Sequence, residues 1–298
     1  MPQSMLTAGD VAAFSRLQLA AMQIVEGFCS GLHRSPHKGF SVEFKEHRAY
    51  SPGDDVRQID WKLFGKTDRL FIREHEEETN LRCTLFVDCS GSMAYRGSRA
   101  AMSKHEYAVR CAAALSYLLV RQQDAAGLVT FDTEVRTVVP PRARPRHLHA
   151  IFKALEESRP VDETDIGQSL HKAAARLTGR GLVVVFSDLF GDVESLTSAL
   201  ARLRSQDHEV LLFQTLDPDE IDFPFQSWTE FRSLERADVR QAVDPAQARA
   251  AYLRRLADFR RELRQTCSRQ RVTLTELSTD RPHADALAEF IVLRRRGR

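Results

Sequence analysis

Two long apolar runs, each ending on an aspartate, constrain the fold of this chain more than any other feature of its sequence. Residues 81–87 are mostly apolar or β-branched and lead directly to Asp88, and residues 181–187 form a second such run that leads to Asp188. Continuous apolar runs without polar alternation are typical of strands buried on both faces of a parallel sheet. Because helical stretches separate the runs, the sequence predicts an α/β fold with a mainly parallel sheet flanked by helices.

Small residues with oxygen-bearing side chains follow these strands. Asp88, Ser90 and Ser92 alternate along the chain directly after the first run. Thr164 comes immediately before a predicted helix, so it offers a hydroxyl from a helix-entry loop. Parallel sheets bind ligands outside the carboxyl ends of their strands, and we therefore expect Asp88 and Asp188 to share one edge.

These side chains together present hard oxygen atoms. Such ligands suit Mg²⁺, Mn²⁺ or Ca²⁺ better than a soft metal. The sequence therefore predicts a divalent-cation site, with Mg²⁺ as the first choice. For the segment around Asp88 taken alone, an ordinary turn or a helix N-cap is the competing interpretation. The second predicted strand, which leads to Asp188, favours a metal site over these alternatives.

The order of these residues resembles the metal-ion-dependent adhesion site (MIDAS) of von Willebrand factor A domains. The resemblance implies a von Willebrand factor A-like, Rossmann-like fold. It also implies that Ser90, Ser92 and Thr164 contact the ion directly or through water, while Asp88 and Asp188 act mainly through bound water. Such an ion keeps one coordination position open, which an Asp or Glu of a partner protein fills.

A second resemblance rests on the segment from Gly39 to Trp61 and on the acidic run that follows it. The matching residues are Gly39, Glu43-Phe44, Glu46-x-Arg48-x-Tyr50, Pro52-Gly53-Asp54-Asp55, Arg57, Ile59-Asp60-Trp61 and Glu76-Glu77-Glu78. This set of residues is similar to the signature of the bacterial family called domain of unknown function fifty-eight, which joins a β segment to a von Willebrand factor A-like domain. The resemblance implies a non-enzymatic, metal-dependent adaptor or co-chaperone that works with a MoxR-type AAA+ ATPase and a client protein.

The sequence predicts three parts of the chain. Residues 1–36 contain an amphipathic helix, because apolar residues recur every three or four positions from Val11 to Phe28. Residues 37–78 form a small β-hairpin subdomain, and residues 79–298 form the von Willebrand factor A-like domain. Within the last part, Arg142, Arg144 and Arg146 predict a basic loop, and the terminal arginines predict a frayed tail.

Enzymatic alternatives lack parts that they need. A haloacid-type phosphatase carries a second aspartate where this chain has Ser90, and a serine does not transfer protons at neutral pH. The Gly-x-Ser-x-Gly elbow and the Walker phosphate loop are absent from the sequence. A divalent-metal phosphoesterase-like enzyme remains the alternative function, and a nucleic-acid binder that uses the basic loop and tail is a third.

Composition and charge indicate which partners and which cellular compartment to expect. The formal net charge is +2, which gives no global reason to expect nucleic acid as a partner. Five scattered cysteines without metal-type spacing indicate free thiols in a reducing compartment. The longest apolar runs fall far short of the ~20 residues of a membrane helix, and no signal peptide is evident. We therefore expect a cytoplasmic protein without a membrane span.

Overall fold

A computed structural model describes residues 15–33, 48–49, 65, 71–72, 81–161, 165–232, 234 and 240–296. The chain divides into two compact units, one comprising Met1–Ser30 with Leu81–Arg298 and the other Gly31–Asn80. In the second unit, strand β1 (Arg48–Ala49) pairs antiparallel with strand β2 (Phe71–Ile72). Most of the segment from Gly39 to Trp61, and the predicted ligand Thr164, lie outside the described residues.

A six-stranded sheet forms the centre of the larger unit. Its strands are β3 (Arg82–Asp88), β4 (Ala125–Phe131), β5 (Val135–Arg142), β6 (Leu182–Ser187), β7 (Glu209–Leu216) and β10 (Thr273–Ser278). Two further strands, β8 (Thr229–Arg232) and β9 (Arg240–Val243), form a separate antiparallel pair. The order in the sheet is β10, β7, β6, β3, β4, β5. Every neighbouring pair is parallel except β4 with β5. The predicted α/β fold with a mainly parallel sheet is confirmed.

Helices cover both faces of this sheet. They are α1 (Arg16–His33), α2 (Lys104–Arg121), α3 (Pro145–Glu157), α4 (Ile166–Ala174), α5 (Val193–Ser205), the short α6 (Pro218–Asp222), α7 (Pro245–Arg269) and α8 (Ala284–Arg296), with a 3₁₀ turn η1 (Gly91–Ala94) after β3. One hydrophobic cluster joins the sheet to α1, α2, α3 and α8, and a second joins it to α4, α5 and α7. Because both faces are covered, every residue of β6 is buried.

The amphipathic helix at the N-terminus packs into the larger unit. Ala21 and Val25 are fully buried in the first hydrophobic cluster, and Leu17, Ile24 and Phe28 pack against it. The recurrence of these residues every three or four positions places them on one stripe of α1. None of the helices among the described residues is both long enough and apolar enough to cross a membrane.

Two sequence predictions about arginine-rich segments are wrong. The basic loop expected at residues 142–146 is nearly absent, because β5 extends to Arg142 and α3 begins at Pro145. Proline at the first helical position has no hydrogen bond to lose and a suitable φ, which explains the early start. The tail expected to fray is helical as far as Arg296.

Candidate functional site

The site lies where β3 and β6 end side by side. The two strands are parallel, and Val87 lies opposite Phe186. Asp88 comes directly after Val87, and Asp188 comes two residues after Phe186, so both lie at the carboxyl ends of their strands, at one edge of the sheet. Asp88 and Asp188 are 1% and 2% exposed. Both carboxylates are therefore shielded from water and need hydrogen-bond partners within the protein.

Hydroxyl groups and carboxylates converge at this edge. The Oγ atoms of Ser90 and Ser92 lie 3.1 Å apart. Ser92 donates a hydrogen bond of 2.7 Å to Oδ2 of Asp188. Asp88 accepts one hydrogen bond of 2.8 Å from the backbone N–H of Ser90 and another of 2.5 Å from the hydroxyl of Ser187. The structure thus brings together four of the five predicted site residues.

A buried lysine completes the cluster. Lys104, the first residue of α2, is 0% exposed, and its Nζ donates a hydrogen bond of 2.8 Å to Oδ2 of Asp188. The same ammonium group donates a hydrogen bond of 2.7 Å to Oε1 of Glu220 in α6. Nζ also lies 5.5 Å from the centre of the Phe190 ring, within the range of a cation–π contact. Oδ2 of Asp188 therefore accepts from both Ser92 and Lys104.

The carboxyl group of Asp88 and the ammonium group of Lys104 differ in whether their partners outweigh the effect of burial. Burial, reinforced by the charge of Asp188, raises the pKa of Asp88 to about 7, while hydrogen bonds from Ser187 and Ser90 act in the opposite direction. Burial alone lowers the pKa of Lys104, but the charges and hydrogen bonds of Asp188 and Glu220 outweigh burial and raise that pKa above its ordinary value. Lys104 is thus a permanent positive charge inside the site.

The donor set fits a hard divalent cation. Among the described residues no group of three or more His, Cys, Asp and Glu side chains could hold a metal ion. The candidate set at this edge combines serine hydroxyls with carboxylates. Ser90, Ser92, Asp88 and Asp188 supply both kinds of oxygen at one edge. Such a set, with few formal charges, suits Mg²⁺ that keeps several of its waters. When bound, the ion would supply an electrophilic position for an incoming carboxylate.

Three residues of this site were missed by sequence reasoning. Ser187 lies inside the second apolar run and was interpreted only as part of a strand. Glu220 lies in the stretch 217–243, for which the sequence predicts only short strand-like pieces. Lys104 did leave a signal, because it shares the buried stripe of α2 with Tyr107 and Cys111, three and seven residues further on. A lysine on such a stripe indicates a buried partner carboxylate.

A second polar cluster lies beside the site on the α2 side. The Sγ atom of Cys89 lies 3.6 Å from Nε2 of His105, which in turn lies 3.1 Å from Oγ of Ser158. Burial, with the charges of Asp88 and Asp132, raises the pKa of Cys89 to about 12. Burial, with the charge of Arg159, lowers the pKa of His105 to about 4. Both groups are therefore neutral at pH 7, unlike the thiolate and imidazolium of a cysteine nucleophile.

The segment that leads into Lys104 is held by acidic residues around α6. Gly97 N donates a hydrogen bond of 2.8 Å to Oδ2 of Asp217, and Ser98 N donates one of 3.1 Å to Oδ2 of Asp219. Arg99 Nε donates to Oδ1 of Asp219 at 2.9 Å. These contacts connect the carboxyl end of β7 to the start of α2, and they fix Lys104 relative to Glu220.

Fold and site together define an α/β protein with a binding edge lined by hydroxyls and carboxylates. The family model described as "Protein of unknown function DUF58" matches residues 46–262, and the chain belongs to that family. An uncharacterized protein of Mycobacterium tuberculosis strain H37Rv is 29% identical over 307 residues, covering 99% of this chain and 95% of the relative. An uncharacterized protein of Mycobacterium bovis matches to the same extent.

Solved structures similar to this chain include two Bacteroides proteins and one von Willebrand factor A (VWA) domain. The conserved hypothetical protein BatB from Bacteroides thetaiotaomicron matches with a TM-score of 0.48 and 14% identity, covering 71% of this chain and 97% of the other. An aerotolerance-related membrane protein from Bacteroides fragilis matches with a TM-score of 0.48 and 19% identity, over 70% and 96%. The SpRpn10 VWA domain matches with a TM-score of 0.39 and 10% identity, over 70% and 95%.

Proposed function

We propose that this protein is a metal-dependent protein-binding module, in which Mg²⁺ held at the edge of the sheet accepts an Asp or Glu from a partner. The observation that carries the proposal is the convergence of Ser90, Ser92, Asp88 and Asp188 at the carboxyl ends of β3 and β6. Thr164, which lies outside the described residues, is the fifth ligand that the sequence predicts. The partner is a MoxR-type AAA+ ATPase, or a client that this protein presents to it.

The electrostatics of the site support binding of a carboxylate. Lys104 already offsets part of the negative charge of Asp188, with an N–O distance of 2.8 Å. Neutral hydroxyls from Ser90 and Ser92 add no charge of their own. A divalent ion in this setting keeps most of its positive charge available, and an incoming carboxylate meets attraction rather than repulsion.

A non-enzymatic role agrees with the chemistry of the neighbouring groups. The Cys89 thiol and the His105 imidazole are both neutral at pH 7, so this pair is not an activated nucleophile. Lys104 is fully buried and donates to two carboxylates, which leaves it unsuited to proton transfer. The absence of an activated nucleophile in this pair supports a binding role for the edge.

Affinity capture of the full chain from a bacterial lysate, with Mg²⁺ or with EDTA, tests the proposal. Wild type is compared with Asp88→Ala, Thr164→Ala and the control Asp258→Ala, which removes an exposed carboxylate on α7. We expect EDTA and the two site variants each to weaken capture of a AAA+ ATPase or its client about tenfold or more, which corresponds to ~1.4 kcal/mol. The control should capture as well as wild type.

Equal capture in EDTA and by a folded Asp88→Ala protein would overturn the metal-dependent contact. A parallel assay with a generic phosphate ester addresses the alternative function. Turnover that requires Mg²⁺ and disappears in Asp88→Ala, but not in Asp258→Ala, would replace the proposal with a phosphoesterase.

A further inference from the structure

The ammonium group of Lys104 occupies the interior of the site as a tethered cation. It lies between two carboxylates, 2.8 Å from Oδ2 of Asp188 and 2.7 Å from Oε1 of Glu220. The side chain of Lys104 is 0% exposed, and that of Asp188 is 3% exposed. A lysine buried this completely needs a partner, and one carboxylate would be enough to neutralise it. Glu220 is therefore a carboxylate beyond what neutralising Lys104 requires.

We propose that Lys104 competes with the divalent cation for Asp188, and that Glu220 holds the lysine when the cation takes Asp188. Lys104 would thereby set the affinity of the site for metal and keep it low until a partner's carboxylate completes the coordination. This inference rests on the proposed function, because it concerns the regulation of the same metal site.

The sharing of one oxygen atom is the first support for competition. Oδ2 of Asp188 accepts from Ser92 at 2.7 Å and from Lys104 at 2.8 Å. A cation held by Ser92 and Asp188, directly or through water, meets the positive charge of Lys104 across that oxygen. Two like charges at such short range in a buried setting repel strongly. The cation therefore binds more tightly when the lysine gives up this contact.

The rigid position of Glu220 is the second support. Its Oε2 accepts a hydrogen bond of 2.8 Å from the backbone N–H of Asp217, and its backbone carbonyl accepts one of 2.8 Å from the hydroxyl of Tyr252. Asp217 is itself fixed by the backbone N–H of Gly97. Glu220 is thus a pre-placed acceptor that keeps Lys104 paired whether or not Asp188 is available.

Isothermal calorimetry with MgCl₂ on the purified full chain tests this role, using wild type, Lys104→Met, Glu220→Gln and the double variant. Lys172→Met is the control, because it removes an exposed lysine that is paired with Glu134. We expect Lys104→Met to bind Mg²⁺ at least tenfold more tightly than wild type. Glu220→Gln should bind at least threefold more weakly, because Lys104 then has only Asp188 as a carboxylate partner. The control should match wild type.

The double variant separates competition from a simple through-space effect of charge. If Glu220 acts by holding Lys104, Glu220→Gln changes the Mg²⁺ affinity much less in the Lys104→Met background than in wild type. Two independent charge effects would instead multiply. Thermal unfolding of each protein in EDTA identifies variants that fold, and Glu220→Gln keeps the test available if Lys104→Met does not fold.

The possible outcomes distinguish the inference from the proposed function. Equal or weaker Mg²⁺ binding by folded Lys104→Met would overturn the competition, while Mg²⁺ binding by wild type would leave the proposed function standing. Tighter binding by Glu220→Gln would also overturn the competition. If neither wild type nor any variant takes up Mg²⁺, the metal-dependent function fails, and the role of Lys104 fails with it.

Discussion

At the scale of single residues, burial determines the state of the ionisable groups next to the site. His105 is 6% exposed, lies against Cys89 and Ser158, and belongs to the covered face of α2. Burial and the neighbouring Arg159 disfavour a positive charge on its ring, and the charge of Glu106 opposes them only in part. The folded protein therefore keeps this imidazole neutral in a range of pH where the unfolded chain protonates it.

The free energy of unfolding should fall on acidification because of His105. Its pKa is lowered to about 4 in the folded protein, against 6.5 for the ordinary side chain. The stability contribution is fully present above pH 6.5 and is lost progressively as the pH falls from 6.5 to 4. Between pH 7 and pH 5, wild type should lose about 2 kcal/mol more than His105→Gln, measured by urea unfolding.

His149→Gln is the control for that measurement, because His149 is an exposed histidine in α3. Substitution of this exposed side chain should change the free energy of unfolding little. Parallel pH dependence of wild type and His105→Gln would contradict the burial of a neutral imidazole.

At this scale the candidate ligands were easier to find in the sequence than the groups that surround them. Asp88 and Asp188 were predictable because each directly follows an apolar run. Ser90 and Ser92 were predictable because they alternate with Asp88 after the first of these runs. Ser187 could not be recognised as a partner of Asp88, since its role depends on the register between β3 and β6. Glu220 depends on the packing of α6 against α2, which no local pattern encodes.

At the scale of elements, apolar runs were enough to predict most of the central unit. β3 and β6 are long, continuous and apolar, so their type and burial followed from sequence. In the structure, Ser103 and Glu106 form a capping box at the start of α2. The short α6 was not predicted, because its stability comes from tertiary contacts. The strands β8 and β9 lie in a stretch for which the sequence predicts short strand-like pieces without bounds.

The segment between η1 and α2 depends on a close approach at Gly97. A Cβ atom at this position would lie 2.3 Å from Oδ1 of Asp217 and 2.4 Å from Oδ2 of Asp219. Both carboxylates are buried and are hydrogen-bonded to the backbone of this segment, so they have little room to move. Gly97→Ala should lower the free energy of unfolding by about 1 to 3 kcal/mol, measured by chemical denaturation.

Gly27→Ala provides a matched substitution for that test. Gly27 lies in α1, and nothing is within 4 Å of a Cβ atom built there. Alanine is the better helix former by about 1 kcal/mol, so this variant should be as stable as wild type or more stable. A Gly97→Ala protein that also keeps full stability would show that the carboxylates around α6 do not hold the segment rigidly.

At the scale of the whole molecule, the site lies where the two hydrophobic clusters end. The first cluster contains Leu85 and Val87 of β3, and the second contains Phe86 on the opposite face of the same strand. Asp88, which follows Val87, is the first carboxylate in this strand. The core of the larger unit thus holds the candidate ligands without contributing side chains to their chemistry, and removing a ligand oxygen should leave the core intact.

Binding of Mg²⁺ should therefore stabilise the whole chain by mass action. A ligand that binds only the folded state adds about 1.4 kcal/mol of stability at ten times its Kd. The Tm should rise with MgCl₂ and level off, while NaCl of equal ionic strength gives no such saturating rise. In the Ser90→Ala, Ser92→Ala double variant the Mg²⁺-dependent rise should disappear, because both neutral ligand oxygens are lost. An equal, saturating rise in that folded variant would place the Mg²⁺ on other residues and remove Ser90 and Ser92 from the site.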